Sequence, residues 1–563
     1  MIYHCEDHTC NYWDEGEKLP ERCPQCGRKL LRANEADMTG DDWTALGNTL
    51  WDAEASDKKR MVDCFRKAAY LGSAWGVCNL GICMEQGNGV EADPVQAFWL
   101  YQQAVEMGSL NAVCCLGVCY QYGIGTAPDA KQAAELYCKA AEYGSPRGQM
   151  LLARAFHDGI GVEADAAEAV HWVRAAAYQR YGEGMYRLGV CYEYGDGVEQ
   201  NWEHAVHWFR EAAESGVSAA MTDLGYCYEK GCGVEQSWEQ AFSWYRRGAE
   251  CGYPVSMSNL GLCYKRGYGV DQNWQEAIKW YEQGAQCGDL QSMHNLACCY
   301  ERGEGVEQNE DRALYWYRRG AEAGSDYCMY CLGWNYSNGE GVEQNMTEAI
   351  RWYTAAAEGG NADAMHNLGW LYDHGEGVEQ DMKKAICWYE RAAEQNHPAA
   401  MNSLGECYAM GRGVPRDLET AMEWYRRAAE LGEAMADYNM GWHLEQAGKL
   451  SEAYAHYRKA ADGNDDSAWW ALGRFYENGV VVAQDGKEAR RCYETGEKLG
   501  SVKCKMRLAR CKLLGIGGRR AKKAGLDLCR QALELAKESS EKEDYGYEAE
   551  MNLLRRTIAE NES

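Results

Sequence analysis

The stretch Gly303-Glu304-Gly305-Val306-Glu307-Gln308-Asn309 decides the fold because it recurs along the chain. Near-copies stand 36 residues earlier, at Gly267-Tyr268-Gly269-Val270, and 36 residues later, at Gly339-Glu340-Gly341-Val342. The first Gly of the pair occupies positions 87, 123, 159, 195, 231, 267, 303, 339, 375 and 411. A fixed period of this length is typical of stacked repeats, so we expect an array of similar units rather than separate globular domains.

One period, taken from residues 257–292, is predicted to form two helices joined by this loop. An anchoring Leu260 is followed by Gly261, and Tyr264 lies four residues after the leucine on the same helix face. Glycine inside a helix costs about 1 kcal/mol relative to alanine, so we expect another helix to approach closely there. Asn273 follows the loop, and equivalent positions carry Asp, Asn or Ser, the residue types that cap helix starts.

The second helix of the period is predicted over about residues 274–287. Its apolar stripe includes Trp280 and Tyr281, at spacings of three and four residues. It ends at Gly288, a position that carries Gly or Asn in nearly every copy, because both residues tolerate left-handed backbone. Arg180 departs from this rule, so we expect a shifted turn at that place.

This unit of helix, Gly-rich loop, helix and tight turn resembles the Sel1-like repeat, a relative of the tetratricopeptide repeat. The resemblance extends over roughly residues 40–535 and rests, in this period, on Leu260, Gly261, Tyr264, Gly267, Gly269, Val270, Asn273, Ala277, Trp280, Tyr281, Ala285 and Gly288. It implies an all-α fold, a right-handed α-solenoid of antiparallel helix pairs whose first helices line a concave face. Leu or Met anchors from Leu46 to Leu508 predict about fourteen repeats.

Three segments are predicted along the chain. Residues 1–35 form a small zinc-ribbon-like module, residues 36–538 the repeat solenoid and residues 539–563 a C-terminal capping helix. Ser540 begins a Ser-Glu-Lys-Glu pattern typical of a capping box. We expect it to open a last helix, whose apolar stripe comprises Met551, Leu554 and Ile558.

The N-terminal segment carries four cysteines, Cys5, Cys10, Cys23 and Cys26. The second pair is separated by two residues and followed by Gly, which forms a tight knuckle that can direct both sulfurs at one tetrahedral ion. The first pair is separated by four residues, and His4 and His8 are competing nitrogen ligands. So short a segment buries little core, and bound metal would supply its folding free energy.

These features resemble a zinc ribbon, and the resemblance implies one structural Zn²⁺ ion held by the four cysteines. A redox Cys-x-x-Cys motif is the alternative interpretation, but the βαβ pattern that such motifs accompany is not seen around it. Zinc ribbons also bind nucleic acid or protein, so a docking or capping role for this segment is expected.

Composition restricts the classes of partner. The chain has 86 acidic and 58 basic side chains, a formal net charge of −28, which disfavours nucleic acid as the main partner. No apolar run approaches the about 18–20 residues needed to cross a bilayer, and residues 1–5 show no start of a signal peptide. We therefore expect a cytoplasmic protein whose 27 cysteines are mostly reduced.

Eight cysteines stand three residues after the anchor, a position for a small buried apolar side chain: Cys83, Cys119, Cys191, Cys227, Cys263, Cys299, Cys407 and Cys511. Secreted Sel1-like proteins rich in cysteine resemble this chain, but they carry a bridging pair in each repeat. The cysteines here keep no such register, which disfavours a disulfide-stapled array.

Function is expected where the copies differ, on the first helices. Positions one and two before the anchor, and two after it, are predicted to face the concave side. Asn can bond a ligand backbone there, and exposed Trp or Tyr supplies apolar contact. The predicted partner-binding residues are His294, Asn295, Tyr330, Trp334, His366, Asn367, Trp370, Asn402, Tyr438, Asn439, Trp442 and Trp470. The alternative is that the Trp residues pack between helices.

No Ser/His/Asp set or phosphate-binding loop is recognisable, and we predict a non-enzymatic scaffold that binds a peptide or protein in the concave groove. The second hypothesis is a regulatory protein that contacts nucleic acid or another complex through the zinc ribbon. The third, an enzyme or an accessory protein of glycan processing, is disfavoured by the missing catalytic set and signal peptide.

Overall fold

The computed structural model describes residues 2–5, 13–15, 30–32, 35–51, 55–542 and 547–562. Its contacts divide the chain into two compact units, residues 1–292 and 293–563. Each unit is a stack of helices in which a first helix lies against the second helix that follows it in sequence. The helices form fourteen such pairs, α1/α2 to α27/α28, and the predicted α-solenoid of about fourteen repeats is confirmed at this level.

In the first unit, the first helices are α1 (Gly40–Thr49), α3 (Ala74–Gln86), α5 (Leu110–Tyr122), α7 (Pro146–Asp158), α9 (Gly182–Tyr194), α11 (Ser218–Lys230) and α13 (Pro254–Arg266). The second helices are α2 (Ala55–Tyr70), α4 (Pro94–Glu106), α6 (Ala130–Glu142), α8 (Ala166–Tyr178), α10 (Trp202–Glu214), α12 (Trp238–Glu250) and α14 (Trp274–Gln286).

In the second unit, the first helices are α15 (Leu290–Arg302, which begins at the boundary), α17 (Asp326–Asn338), α19 (Ala362–His374), α21 (Pro398–Met410), α23 (Ala434–Gln446), α25 (Asp466–Asn478) and α27 (Val502–Leu514). The second helices are α16 (Glu310–Glu322), α18 (Met346–Glu358), α20 (Met382–Glu394), α22 (Leu418–Glu430), α24 (Leu450–Asp462), α26 (Gly486–Lys498) and α28 (Lys522–Lys542), followed by α29 (Glu548–Glu562).

Three short strands precede α1: β1 (Ile2–Cys5), β2 (Trp13–Glu15) and β3 (Leu30–Arg32). They form an antiparallel sheet of order β2-β1-β3, with His4 opposite Trp13 in one ladder and opposite Leu31 in the other. Strand β2 lies near α1, and a 3-10 turn at Glu35–Asp37 leads into that helix.

The Gly that follows the anchor is a contact point between the two helices of its own repeat. A Cβ atom on Gly261 would stand 2.5 Å from Cε1 of Tyr281, which is fully buried. The close approach predicted for this position is therefore confirmed, and the approaching group is an aromatic ring of the second helix. Equivalent rings cover the equivalent glycines in most repeats.

The two glycines of the loop have different structural roles. Gly267 ends α13 in left-handed backbone, with φ of 74°, as a helix C-cap. Gly269, with φ of 69°, lies so close to the carbonyl group of Trp238 that a side chain would collide with the second helix of the preceding repeat. The second glycine thus holds consecutive repeats together as well as turning the chain.

Helix caps follow the predicted positions. Asn273 accepts a 3.2 Å hydrogen bond from the backbone amide of Glu276, and the Asp, Asn and Ser residues at equivalent positions accept similar bonds. The turn after the second helix takes left-handed backbone at Gly288 and also at Asn396, with φ of 61°. The shifted turn expected at Arg180 is wrong, because Arg180 itself takes φ of 59° and keeps the register.

Seven of the eight cysteines that stand three residues after the anchor are buried core residues. Cys83, Cys119 and Cys407 are completely buried free thiols, whereas Cys191 is partly exposed. Burial raises the pKa of Cys83 to about 11, so this thiol stays protonated at neutral pH. The prediction that the slot holds a small buried apolar group is confirmed at these three positions.

The C-terminal end differs from its prediction in one respect. Helix α28 continues through residues 540–542, and the last helix begins at Glu548, so the capping box proposed at Ser540 is wrong. The apolar stripe of the last helix is nevertheless buried against α27 and α28, with Met551 and Ile558 at 8% and 9% exposure and Leu554 at 2%.

Candidate functional site

The predicted partner-binding residues all lie on the first helices of the second unit, where consecutive first helices are neighbours. Asn439 on α23 donates a 3.0 Å hydrogen bond to the side-chain oxygen of Asn402 on α21. Ser403 on α21 lies 3.4 Å from Nε2 of His366 on α19. We call this surface, the positions two before, one before and two after each anchor on α15 to α25, the first-helix face.

The residues two positions before the anchor pack inward more than they face solvent. Tyr330, His366 and Tyr438 are half-buried, and their rings lie 5.6–5.9 Å from the rings of Tyr353, Tyr389 and Tyr457 in the same repeats. His294 makes the same kind of contact with Tyr317 at 6.2 Å. Asn402 is buried, with 6% exposure. These side chains can therefore contact a partner mainly through the edges of their rings that remain exposed to solvent.

The residues two positions after the anchor form the open part of the face. Trp334, Trp370 and Trp442 are 45%, 40% and 38% exposed, although tryptophan is mostly buried in folded proteins. The indole of Trp370 stacks on the ring of His374, with ring centroids 4.3 Å apart, so a residue of the same helix covers one side of the indole.

Glu406 stands in the tryptophan register on α21, between the positions of Trp370 and Trp442. One of its carboxylate oxygens accepts 3.2 Å hydrogen bonds from both Asn402 and Asn439. The surrounding protein raises the pKa of Glu406 by desolvation. The two asparagines thus orient a carboxylate at the centre of the first-helix face.

Arg412 connects this carboxylate to a buried one. Its Nη1 atom donates a 2.9 Å hydrogen bond to Asp373, which is only 3% exposed, and its Nη2 atom lies 3.8 Å from Glu406. Arg412 follows α21 in the loop and reaches back to α19, so this ion pair also links two repeats. Neither Arg412 nor Asp373 was predicted as a site residue.

His366, which belongs to the first-helix face, forms a stacked pair with His397, with ring centroids 5.2 Å apart. His397 caps α21 by accepting a 3.1 Å bond from the amide of Ala400, and its other nitrogen donates to Asp363 at 3.2 Å. Burial lowers the pKa of His366 to about 4, so its ring is neutral at physiological pH. The proximity of His397 lowers the pKa of Asp363.

Trp470, at the end of the face on α25, is partly buried between two cations. The guanidinium of Arg474 lies 4.6 Å from its ring centroid, and the ammonium group of Lys503 on α27 lies 5.3 Å away. Arg474 occupies the tryptophan register and pairs with Glu445 at 2.8 Å. At this end of the face, the position two residues after the anchor therefore carries a charge, whereas α17, α19 and α23 carry tryptophan there.

With this geometry in view, the family of the chain can be assigned. The profile of the Sel1 repeat matches twelve consecutive segments: residues 76–109, 112–145, 146–181, 182–217, 218–253, 254–289, 290–325, 326–361, 362–397, 398–433, 434–465 and 468–501. The chain belongs to the Sel1 repeat family. Sel1 repeat proteins are generally protein-interaction scaffolds, and the helix pairs α1/α2 and α27/α28 lie outside the matched segments.

Two solved structures are similar to parts of this chain. A protective antigen present in uropathogenic Escherichia coli strains, described as displaying an SLR fold, is 29% identical, with a TM-score of 0.50 over 89% of this chain and 94% of that one. A Sel1 repeat protein from Oxalobacter formigenes is 32% identical over 43% of this chain and 96% of its own, with a TM-score of 0.40. No curated protein shows significant similarity to the chain.

The predicted metal ligands fall mostly outside the described residues. Cys10, Cys23 and Cys26 lie there, and so does His8, whereas Cys5 is the last residue of β1. Among the described part of the chain, no group of three or more His, Cys, Asp or Glu side chains could hold a metal ion. In the same residues, no helix combines the length and apolarity required to cross a bilayer.

Glu406 and Arg412 were not predicted as site residues, because both depart from the residue pattern of the repeat. Glu406 stands where the first helices on either side carry Trp370 and Trp442, and Arg412 is a cation where the other loops carry an acidic or an uncharged residue between their two glycines. A comparison of the copies position by position would have marked both residues. Their partnership with Asp373, 39 residues before Arg412, is a product of stacking and has no signal within one repeat.

Proposed function

We propose that the chain is a non-enzymatic scaffold whose second unit binds an extended peptide or a protein segment along the first-helix face. The row of exposed indoles at Trp334, Trp370 and Trp442 carries this proposal. Solvated aromatic surface is costly to keep, and tryptophans that become buried in complexes are frequent hot spots of binding energy.

The arrangement of polar groups suggests how a partner would be held. Glu406 lies in the same register as the three indoles, with its carboxylate oriented by Asn402 and Asn439. A peptide with apolar side chains spaced to reach the indoles, and a cationic or amide donor between them, would complement this order. Flat aromatic rings and a fixed acceptor give specificity without requiring the scaffold to change shape.

Peptide display on the full-length chain, followed by affinity measurement of selected peptides, tests the proposal. Trp370→Ala, and Trp334→Ala with Trp442→Ala, should each weaken binding at least about tenfold. The melting temperature should stay within a few degrees, because these side chains are largely outside the core. Trp99→Ala, which removes a 65% exposed tryptophan from α4 in the first unit, is the matched control.

Two outcomes would contradict the proposal. Selected peptides that bind the tryptophan variants as tightly as the native chain would place the binding surface elsewhere. Unfolding of the Trp370→Ala variant would show that the indole belongs to the core. Trp99→Ala must retain peptide binding if the loss of binding in the other variants is specific to the first-helix face.

For the N-terminal segment we propose a structural Zn²⁺ ion held by Cys5, Cys10, Cys23 and Cys26, in a cytoplasmic protein. The antiparallel order β2-β1-β3, with Cys5 at the end of the central strand, is compatible with a ribbon. The proximity of β2 to α1 supports a capping role at this end of the solenoid.

A further inference from the structure

The helix pair α7/α8 lacks the aromatic ring that packs between the two helices in twelve of the fourteen pairs. Val173 stands on α8 at the position that carries the buried ring elsewhere: Phe65, Tyr101, Tyr137, Phe209, Tyr245, Tyr281, Tyr317, Tyr353, Tyr389, Tyr425, Tyr457 and Tyr493. The second exception is Cys529 on α28, where Met551 and Leu554 of α29 belong to the same core cluster. Among the residues that the structure describes, the helices packed on α8 are its neighbours α7 and α9.

The missing ring leaves a cavity between α7 and α9 with Val173 at its floor. Its volume is about 520 Å³, within the range of small-molecule sites, and Ala153, Val170 and Val190 supply further apolar walls. Cys191 on α9 also lines it and is partly exposed, whereas its counterpart Cys227 is 1% exposed. The apolar space therefore coincides with the repeat in which Val173 stands in place of the ring.

Three arginines and a histidine lie on the rim of the cavity, in a chain that is acidic as a whole. Arg147, Arg154 and Arg187 line it, together with His157, which replaces the Glu or Gln that accepts the tyrosine hydroxyl in neighbouring repeats. Arg187 forms no hydrogen bond and no ion pair with any residue that the structure describes. Arg147 donates to Asn111 at 2.5 Å and contacts the sulfur of Cys115 at 3.6 Å.

The carboxylates of the rim are already engaged. Asp158 lies 2.6 Å from one nitrogen of His157 and 3.3 Å from Arg154, and Asp196 lies 3.3 Å from the other nitrogen of His157. Glu183 accepts a 3.4 Å hydrogen bond from Tyr181. Two guanidinium groups, those of Arg147 and Arg187, therefore have no carboxylate partner beside an apolar cavity.

We propose that this cavity binds a small organic carboxylate, with its apolar body on Val173 and Val170 and its anionic head at Arg187. Guanidinium groups match the planar geometry of a carboxylate and bind it with charge-assisted hydrogen bonds. A multiply charged phosphate ester would meet Asp158, Asp196 and Glu183 at the same rim, so a single negative charge suits the site best. The site lies in the first unit and is independent of the first-helix face.

Calorimetric titration of the full-length chain with octanoate tests this site, with octylamine as the probe of opposite charge. We expect saturable binding of octanoate with a dissociation constant of about 1 mM or below, and none of octylamine over the same range. Val173→Tyr restores the ring of the other repeats and should abolish binding while the melting temperature stays equal or rises. Arg187→Gln, on the surface, should weaken binding about tenfold.

Arg246→Gln, which removes an exposed arginine from α12, is the matched control and should bind octanoate like the native chain. The proposal is overturned if octanoate shows no saturable binding up to about 10 mM. Equal binding of octylamine would overturn it as well, because the rim would then not select for charge. Unchanged octanoate binding in both Val173→Tyr and Arg187→Gln would place the ligand outside this cavity.

Discussion

The ring of Tyr245 lies against the backbone of Gly225, and its phenolic oxygen donates a 2.9 Å hydrogen bond to Glu229. One side chain of α12 thus touches α11 at two points, one apolar and one polar. Tyr101 and Tyr493 make the same two contacts in their own repeats, with Glu85 at 2.6 Å and Glu477 at 2.8 Å. Each such repeat therefore carries its own connection between its helices.

Gly225→Ala should destabilise the first unit, because the new Cβ would stand 2.6 Å from the ring of Tyr245. Overpacking of this kind costs about 1–3 kcal/mol, and alanine regains about 1 kcal/mol of helix propensity. Ala297 stands at the equivalent position of another repeat, so we expect a net loss of about 1 kcal/mol in the free energy of unfolding, measured by urea denaturation.

The second substitution Tyr245→Val tests the cause of that loss. In its background, Gly225→Ala should cost less than it does alone, because the ring that it meets is absent. Additive losses in the double variant, or a rise in stability from Gly225→Ala alone, would show that the ring does not constrain this position.

His366 should make stability depend on pH in the acidic range. Its pKa is about 4 in the folded protein and about 6.5 in an unfolded chain, so the unfolded state binds a proton first as the pH falls. The contribution of the neutral His366 ring to the free energy of unfolding is fully present above pH 6.5. It declines as the pH falls towards 4, by at most about 1.4 kcal/mol per pH unit. Between pH 7 and 5 the native chain should lose about 1–2 kcal/mol more than His366→Gln.

Urea denaturation at the two pH values measures this difference, and His171→Gln, which removes an exposed histidine of α8, serves as the control. The control should follow the native chain. Parallel pH profiles for the native protein and His366→Gln would mean that the ring of His366 can be protonated in the folded state.

Arg412→Met should be destabilising, because it leaves the carboxylate of Asp373 buried without a cation. Removing one partner of a fully buried ion pair costs about 3–5 kcal/mol, and because the side chain of Arg412 is 39% exposed to solvent we expect a smaller loss of about 1–3 kcal/mol. Part of this loss should return in the double variant with Asp373→Asn, which removes the unpaired charge. If Arg412→Met unfolds like the native chain in urea, the pair does not connect these repeats energetically.

The N-terminal zinc proposal predicts one zinc ion per chain by elemental analysis. Changing both Cys23 and Cys26 to Ser should remove the metal, because two thiolate ligands are lost. Cys251→Ser, at an exposed cysteine of the solenoid, should keep one ion. Absence of zinc from a preparation with intact cysteines would refute the site.

The repeat itself was accessible from the sequence because its signals are local. Asn273 caps the start of α14 and Gly288 follows the end of the same helix, for reasons that involve only a few neighbouring residues. Gly261 also indicated a close contact, since glycine is unfavourable within a helix. The identity of the contacting group, Tyr281, was not predictable in the same way, because it depends on how two helices twenty residues apart are packed.

The exposure of the predicted partner-binding residues could not be read from the sequence in the same way. Tyr330 and Trp334 are four residues apart, so they differ by only about 40° around the helix axis. Spacing alone therefore assigns both to one face, yet Tyr330 packs on Tyr353 and Trp334 is open to solvent. The distinction arises from the neighbouring helix, which covers one edge of that face and leaves the other uncovered.

The contact between Gly269 and the carbonyl group of Trp238 has a consequence for how such a chain can change over generations. Gly197 meets Ala166 in the same manner, so the joint between one repeat and the next has the same form at both places. An in-frame gene duplication of one whole repeat would recreate that joint without inventing a new one. Gain or loss of whole repeats is therefore the easiest route by which this lineage can lengthen or shorten its array, whereas a partial copy would leave one joint mismatched.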